Sequence, residues 1–358
     1  MHRCRSLISA VPQRRVRSLQ TVADAVQATR EILNGSCALK SALNDAKALV
    51  ANALQPALET SNDLFFHSER KLTSQEATAL QLSVERRLKG EPLAYVLGRR
   101  EFWSLDFAVT QDTLIPRSDS EVLIETLVEQ FNRETPLRIL DIGTGSGCLL
   151  LSALSEFPQA TGVGVDISPG ALAVAERNAR SNQLGGRTEF RLRDLQTLTG
   201  VREEDEFYQR FDVILCNPPY IPTRELDLVG ADVLEYEPHL ALFSDGGPTS
   251  DLTGTDPQGL RMYRLLGESV ANLFKSDNVV KAGARQASES NGELSAVKRC
   301  LLVEIGSEGQ ARAVKGLFSN TAATGSLRDE ASNGSSLRFE RFLFDAGGKY
   351  RGLLFVAP

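Results

Sequence analysis

The sequence predicts an α/β protein in which a doubly wound, mostly parallel sheet follows a small helical domain. From residue 137 onward, short apolar runs that end in a glycine, an acid or a proline alternate with helical patterns. Such alternation is typical of a parallel sheet with helices on both faces. Residues 24–90 show helical periodicity alone. The apolar stretches within 342–356 flank a Gly-Gly pair and predict an antiparallel closing pair of strands.

Composition limits the classes of function. The length of 358 residues predicts about two domains, and 42% hydrophobic content suffices for a buried core. A net charge of −6 argues against a protein that coats duplex nucleic acid, and no run approaches the roughly 18 apolar residues of a membrane span. We expect no metal site, because the three histidines are far apart. The five cysteines lack CxxC spacing and indicate free thiols in a reducing compartment: Cys4, Cys37, Cys148, Cys216 and Cys300.

Residues 1–23 have the composition of an organelle transit peptide. They contain five arginines and several serines, and no acid precedes Asp24. We therefore predict a location in the mitochondrial matrix. A disordered basic tail and a nucleic-acid-binding arm are the alternatives.

The N-terminal helices are marked by local signals. An amphipathic stripe runs from Leu39 to Leu54, and a capping box at Thr73 predicts a helix through Leu88. Residues 91–119 link residues 24–90 to the domain at 120–358, and alternating polarity over residues 101–107 predicts that this segment forms a hairpin. In that hairpin, Phe102 could wall a pocket or serve in packing.

A glycine-rich turn follows the first strand of the sheet. Asp141 ends an apolar run and is followed by Gly143, Gly145 and Gly147, after which a helix begins at Cys148. Glycines there permit a tight turn and close approach of a ligand to a helix N-terminus. The spacing differs from the dinucleotide pattern GxGxxG. A glycine-rich turn without a ligand is the alternative.

Two acids follow the next two strands. Asp166 lies about twenty residues beyond the glycines, where a carboxylate can accept both hydroxyls of a ribose. Asp194 follows the third strand and could accept from an adenine amino group, with Leu195 against the ring. From spacing alone, Asp194 is equally well placed as a helix N-cap.

The fourth strand, within 211–216, ends in the sequence NPPY. The prolines cannot donate to a sheet, so the strand stops and the chain leaves its carboxyl edge at Asn217. The Asn217 side-chain carbonyl and the Pro218 carbonyl can accept both hydrogens of a planar NH2 group, and Tyr220 can stack on that group. A strand end in which these residues only cap and pack is the alternative.

Taken in order, these motifs resemble the HemK/PrmC-type release factor glutamine methyltransferases, which are class I S-adenosylmethionine-dependent methyltransferases. The resemblance covers roughly residues 35–275 and 300–358. It is carried by GEPLAYVLGRREFWSLDFAV, LIPR with Glu121, DIGTGSG, NPPYI and YEPHLAL. The chain departs from the family pattern at Ser118 and Ser120, where a proline and a threonine are usual. Segments near 245–258, 276–298 and 319–336 are predicted to be disordered insertions.

The resemblance implies a Rossmann-like sheet over 120–358 and S-adenosylmethionine as cofactor. It implies methyl transfer to the glutamine of a Gly-Gly-Gln motif in a release factor, here the mitochondrial one, with residues 24–90 docking the substrate. The enzyme is expected to act as a monomer without nucleic acid or membrane. The cofactor would contact Asp141, Gly143, Thr144, Gly145, Ser146, Gly147, Asp166, Asp194, Leu195 and Asn217. The substrate would contact Asn217, Pro218, Pro219, Tyr220 and Phe102.

Three other functions share part of this pattern. An adenine-N6 methyltransferase of DNA or RNA also uses NPPY, but the acidic balance and the missing basic domain oppose it. A cofactor-binding protein without catalysis, associated with translation, is a second alternative. A nicotinamide oxidoreductase is opposed by the glycine spacing.

Overall fold

The computed structural model describes residues 21–35, 41–58, 60–276, 298–320 and 337–357. The chain divides into two compact units, residues 1–99 and 100–358. The predicted transit peptide therefore lies outside the described residues except for 21–23. Within the described ranges, no helix combines the length and apolarity that crossing a bilayer requires.

The first unit is helical. Thr21 caps its first helix by accepting from the Asp24 backbone N–H at 3.1 Å, so residues 22 and 23 belong to a helix. The predicted capping box at Thr73 is confirmed, with Glu76 returning a bond to the Thr73 N–H at 2.8 Å. A 3₁₀ helix spans Ser61–His67. The α-helices are Val22–Asn34 (α1), Ala42–Ala53 (α2), Ser74–Leu88 (α3) and Leu93–Leu97 (α4).

The first unit extends beyond residue 90. The helix α4 begins after Pro92 and ends at Gly98, which has the left-handed φ of +73° that favours glycine. Val96 of α4 is buried in the same apolar core as Leu49 and Leu80. The start of the segment expected as a hairpin linker is thus a helix of the first unit. The hairpin itself consists of Arg99–Phe102 (β1) and Leu105–Ala108 (β2).

The second unit is built on a seven-stranded sheet. Its order is β5-β4-β3-β6-β7-β9-β8, with β3 to β7 parallel and β9 antiparallel to both neighbours. The strands are Arg138–Ile142 (β3), Thr161–Asp166 (β4), Thr188–Leu192 (β5), Val213–Cys216 (β6), Cys300–Glu304 (β7), Arg338–Phe344 (β8) and Tyr350–Val356 (β9). The predicted doubly wound sheet and its antiparallel closing pair are confirmed.

Helices pack against both faces of this sheet. The described α-helices of this unit are Glu121–Gln130 (α5), Cys148–Glu156 (α6), Pro169–Ser181 (α7), Leu195–Leu198 (α8), Ala231–Tyr236 (α9), His239–Leu242 (α10), Arg261–Leu273 (α11) and Glu308–Asn320 (α12). On one face Leu123 and Leu150 pack against Leu215, and on the other Leu266 and Phe318 belong to a second core layer. Every residue of β6 and β7 is buried, as continuous apolar runs in central parallel strands predict.

The segment 245–258 is folded, and the prediction of a disordered insertion there is wrong. Asp245 is fully buried and accepts from the Thr223 hydroxyl and from the Gly254 N–H, the latter at 2.8 Å. Asp256 is 2% exposed and accepts from the Arg261 N–H at 2.8 Å. These carboxylates fix the turns of a polar segment that has few apolar side chains. Residues 277–297 and 321–336 of the other two predicted insertions lie outside the described residues.

Candidate active site

The carboxyl ends of β3, β4, β5 and β6 meet at one edge of the sheet because these strands run parallel. A cavity of about 340 Å³ opens at that edge. Its volume falls in the range of small-molecule sites. The sequence-predicted residues that line it are Gly143, Thr144, Gly145, Ser146, Asp166, Asp194, Leu195, Asn217, Pro218 and Pro219.

The glycine turn leaves room for a ligand. Gly143, Gly145 and Gly147 have φ values of +74°, +54° and +80°, a region that other L-residues rarely adopt. A Cβ added at Gly145 would meet no heavy atom within 4 Å, so the space beside this residue is open. A Cβ at Gly147 would come 3.3 Å from Ala175 and Leu151. Gly147 therefore permits helix packing, whereas Gly145 borders the cavity.

Two buried polar atoms beside the turn have no partner among the described residues. They are Oδ1 of Asp141 and the Ser146 hydroxyl. The other Asp141 oxygen accepts from the Thr144 hydroxyl at 2.7 Å, and burial raises the pKa of Asp141 to about 7. Ser146 lines the cavity, whereas Asp141 lies behind it and does not. An unsatisfied buried polar atom is costly, so the Ser146 hydroxyl suits a ligand that can hydrogen-bond to it.

Asp166 links the glycine turn to the end of β4. Its Oδ2 accepts from the Gly145 N–H and its Oδ1 from the Ser168 N–H, both at 2.9 Å. Burial raises the pKa of Asp166, and these backbone donors oppose the rise. Each carboxylate oxygen can accept a further bond. The carboxylate is therefore fixed in place with capacity left for hydroxyl groups such as those of a ribose.

Asp194 is both a helix N-cap and a residue of the cavity lining, the two roles between which the sequence did not decide. Its side chain caps α8, with Oδ1 accepting from the Gln196 N–H at 2.9 Å, and the residue also lines the cavity. Leu195 is 5% exposed and lines the same region. The N-cap is thus confirmed, and contact with an adenine stays a prediction.

Asn217 lies where the glycine turn and the NPPY segment meet. A Cβ added at Gly143 would be 3.9 Å from the Asn217 backbone oxygen, which is ordinary contact distance. The Asn217 Nδ2 lies 3.5 Å from the Ser120 Oγ and donates to it. With Nδ2 in this contact, Oδ1 of Asn217 is left to accept a hydrogen bond from a ligand.

Tyr220 does not line this cavity, and its stacking on the substrate amide stays a prediction. It lines a second cavity of about 430 Å³, and a Cβ added at Gly306 would come within 2.7 Å of the ring. The ring thus packs against the bare backbone of Gly306. The Tyr220 carbonyl accepts from Gln310 Nε2 at 2.7 Å. The two contacts hold the end of the NPPY segment against the loop after β7 and against the first turn of α12.

Phe102 does not line the cavity either. It is 1% exposed and stacks edge-on with Phe107 at a centroid distance of 6.3 Å. The alternation that predicted the hairpin places both rings on its inner side. The prediction that Phe102 contacts substrate is corrected: this side chain is part of the core.

Several site residues were not assigned a role from the sequence. Arg117 lines the cavity and donates to the Glu237 carboxylate at 2.7 Å, and the other Glu237 oxygen accepts from the Ile115 N–H at 3.0 Å. Ser120 and Glu304 lie beside Asn217 in the same region. Arg117 belongs to the LIPR motif and Glu237 to the YEP motif, so the sequence marked both residues, but 120 residues separate them along the chain. Periodicity cannot reveal such a contact.

No cluster of three or more His, Cys, Asp or Glu side chains that could hold a metal ion occurs in the described part of the chain. The groups that line the cavity include the Asn217 amide, the Asp166 carboxylate and the Thr144 and Ser146 hydroxyls. The open glycine turn, the fixed Asp166 carboxylate and the unpartnered Ser146 hydroxyl fit a nucleoside that carries an amino acid group. With this sheet order, they define a class I methyltransferase whose cofactor is S-adenosylmethionine.

Comparison with known proteins identifies the family. Residues 24–98 match the PrmC N-terminal domain and residues 134–277 match a methyltransferase domain. The release factor glutamine methyltransferase of Geobacter sulfurreducens is 37% identical over 271 residues, covering 76% of this chain and 80% of the relative. That of Bradyrhizobium diazoefficiens is 38% identical over 258 residues, covering 70% and 79%. The chain belongs to the release factor glutamine methyltransferase family.

Proposed function

We propose that this enzyme methylates the side-chain amide nitrogen of the glutamine in the Gly-Gly-Gln motif of a peptide-chain release factor, and that it does so in mitochondria. One observation carries the proposal. Asn217 lines the cavity that the glycine turn borders, its Nδ2 donates to Ser120, and a Cβ added at Gly143 would be 3.9 Å from the Asn217 backbone oxygen. This arrangement supports a proposed acceptor for a planar NH2 group, Oδ1 of Asn217, next to the proposed nucleoside site.

The reaction needs the amide to be positioned accurately. An amide nitrogen is a poor nucleophile because resonance withdraws its lone pair into the carbonyl group. Oδ1 of Asn217 and the Pro218 carbonyl would accept the two N–H bonds of the glutamine and direct the nitrogen into the cavity. Well-oriented reactants can gain about 7–11 kcal/mol in activation free energy. Positioning can therefore supply much of the rate.

When bound, S-adenosylmethionine supplies an electrophilic methyl group whose carbon–sulfur bond breaks as the carbon–nitrogen bond forms. Gly143 and Gly145 would lie beside its methionine part, and Asp166 would accept from its ribose hydroxyls. The substrate nitrogen loses one proton after methylation. Because that proton is acidic once the methyl group is attached, no strong general base is required.

Labelled-methyl transfer to purified release factors tests the activity. We expect methylation of the Gly-Gly-Gln glutamine, located by peptide mass spectrometry, and none of DNA or RNA oligonucleotides. Asn217→Ala should lower turnover by about a hundredfold or more, the loss seen when a preorganised polar contact is removed. Asn182→Ala, which removes a half-buried amide that donates to the Asp106 and Asn178 carbonyls outside the cavity, is the control and should turn over like wild type. Wild-type turnover in Asn217→Ala, or label only in oligonucleotides, would refute the proposal.

The mitochondrial part of the proposal has separate support and a separate test. It is supported by the arginines and serines of residues 1–23 and by the absence of acids there. A fusion of residues 1–30 to a fluorescent reporter should reach mitochondria, and the enzyme should prefer a mitochondrial release factor to a cytosolic one. A diffuse reporter signal would reject the location without affecting the methylation proposal.

A further inference from the structure

Glu304 is a buried carboxylate at the end of β7 that the mechanism above does not use. The residue is 3% exposed, and its Oε2 has no hydrogen-bond partner among the described residues. Burying a carboxylate oxygen without a donor is costly. A hydrophobic residue could complete a strand in which the preceding four residues are all buried and apolar. Glu304 therefore requires an explanation beyond packing.

Glu304 and Asn217 are neighbours at the carboxyl edge of the sheet. Cys216, the last residue of β6, pairs with Val303 of β7 in parallel register, so the next residues along the two chains are Asn217, just past β6, and Glu304, the last residue of β7. Adjacent strands are about 4.8 Å apart. Leu215 and Leu302, two residues earlier, lie in one core layer. Because side chains alternate along a strand, Asn217 and Glu304 continue that same face.

Ser120 approaches the same point from the helix that covers this face. It is 3% exposed and precedes α5, whose residues pack in the layer with Leu215. Its Oγ accepts from the Asn217 Nδ2 at 3.5 Å, and the Ser120 side chain lies near enough to the Glu304 carboxylate to lower the pKa of Glu304. A chain of three polar groups thus runs from the substrate-facing amide to a buried carboxylate.

We propose that Ser120 and Glu304 are positioning residues that hold the Asn217 amide with its nitrogen inward and its oxygen toward the substrate. The Glu304 carboxylate accepts the Ser120 hydroxyl hydrogen, which turns the Ser120 lone pairs toward Asn217 Nδ2. An asparagine amide can otherwise flip, and the flipped amide would offer N–H donors to a substrate NH2 group. The chain of hydrogen bonds also polarises the Asn217 amide and strengthens its oxygen as an acceptor.

The charge of Glu304 sets the expected pH dependence. Burial raises the pKa of Glu304 to about 7, while the Ser120 hydroxyl acts in the opposite direction. Above that pH the carboxylate accepts from Ser120, and below it the protonated acid no longer orients the hydroxyl. The turnover ratio of wild type to Glu304→Gln should therefore be larger at pH 8 than at pH 6. Other groups that act electrostatically with Glu304 are Arg117, Asp119, Cys148, Cys216, Tyr220, Tyr263 and Arg351.

The test compares Ser120→Ala, Ser120→Thr and Glu304→Gln with wild type. Ser120→Ala should lower kcat about tenfold, the effect of one hydrogen bond, with the Kd for S-adenosylmethionine unchanged within about twofold. Ser120→Thr keeps the hydroxyl and should restore most of the turnover. In an Asn217→Ala background, Ser120→Ala should have no further effect, because Ser120 acts through Asn217. Ser152→Ala is the matched control, because it removes a fully buried hydroxyl that has no partner in the described part of the chain.

Two results would overturn the proposal. One is a kcat for Ser120→Ala and Glu304→Gln equal to that of wild type. The other is independent of activity: a crystal structure of Ser120→Ala with S-adenosylhomocysteine in which the Asn217 side chain keeps its wild-type position. Because the proposal rests on the glutamine amide as substrate, wild-type turnover on a release factor is measured first. Failure at that step rejects the proposed function, and the crystal structure still decides the role of Ser120.

Discussion

Replacing Gly145 by alanine should greatly weaken cofactor binding at a small cost in fold stability. Gly145 has a φ of +54°, and a non-glycine residue in the left-handed region costs about 1–2 kcal/mol. No heavy atom lies within 4 Å of the added Cβ, so no steric cost is added. A loss of 1 kcal/mol lowers the melting temperature of a domain of this size by about 2–4 °C. The Cβ enters the cavity, and we expect affinity to fall at least tenfold, or about 1.4 kcal/mol.

Gly348→Ala is the matched control. Gly348 has a φ of +75°, also has no heavy atom within 4 Å of a Cβ, and lies in the turn between β8 and β9. The two variants should show similar melting temperatures. Isothermal titration calorimetry should then show weakened S-adenosylmethionine binding only in Gly145→Ala. Wild-type affinity in Gly145→Ala, or an equal loss in Gly348→Ala, would refute the placement of the cofactor beside the glycine turn.

Three further predictions follow from buried groups. Burial raises the pKa of Asp141 to about 7, so the folded protein holds a proton on this carboxyl at a pH where the unfolded chain has lost it. The free energy of unfolding of wild type, measured relative to Asp141→Asn, should therefore fall as the pH rises from about 5 to about 7. A difference between the two proteins that does not change with pH in urea titrations would contradict this. Asp166→Ala removes the acceptor of two backbone N–H groups and should weaken cofactor binding about tenfold or more by calorimetry; unchanged binding would remove Asp166 from the site. Burial raises the pKa of the Cys216 and Cys300 thiols, so peptide mass spectrometry should find neither alkylated by iodoacetamide in native protein at pH 8; rapid labelling of either would show that its strand opens.

Local signals in the sequence predicted most of the elements. The apolar run of β6, stopped by Pro218 and Pro219, identified a central strand because the proline ring removes a donor from the ladder. The capping box at Thr73 identified the start of α3 for an equally local reason. The sheet edge then brought the glycine turn, Asp166, Asp194 and Asn217 to one cavity, as parallel strands require.

Local sequence patterns did not predict the surroundings of a side chain that could be placed in more than one environment. Alternation placed Phe102 in a hairpin but did not say which surface covers it, and the fold buries it against Phe107. The polar composition of 245–258 suggested disorder, yet Asp245 and Asp256 fold that segment by accepting backbone N–H bonds. Composition gives only the average polarity of a segment, whereas the fold of residues 245–258 depends on the two carboxylates that accept these backbone hydrogen bonds.

The sequence by itself determined the class of fold, the order of the site motifs along the chain and the amide group offered at the end of β6. Only the tertiary structure decided which residues contact that amide, and that the Phe102 ring lies in the core while the Tyr220 ring packs against Gly306. Arg117 with Glu237, Ser120 with Asn217, and Tyr220 against Gly306 join segments far apart in the chain. Their contacts depend on the packing of α5 and on the register of β6 with β7, and periodicity within one element carries no information about either.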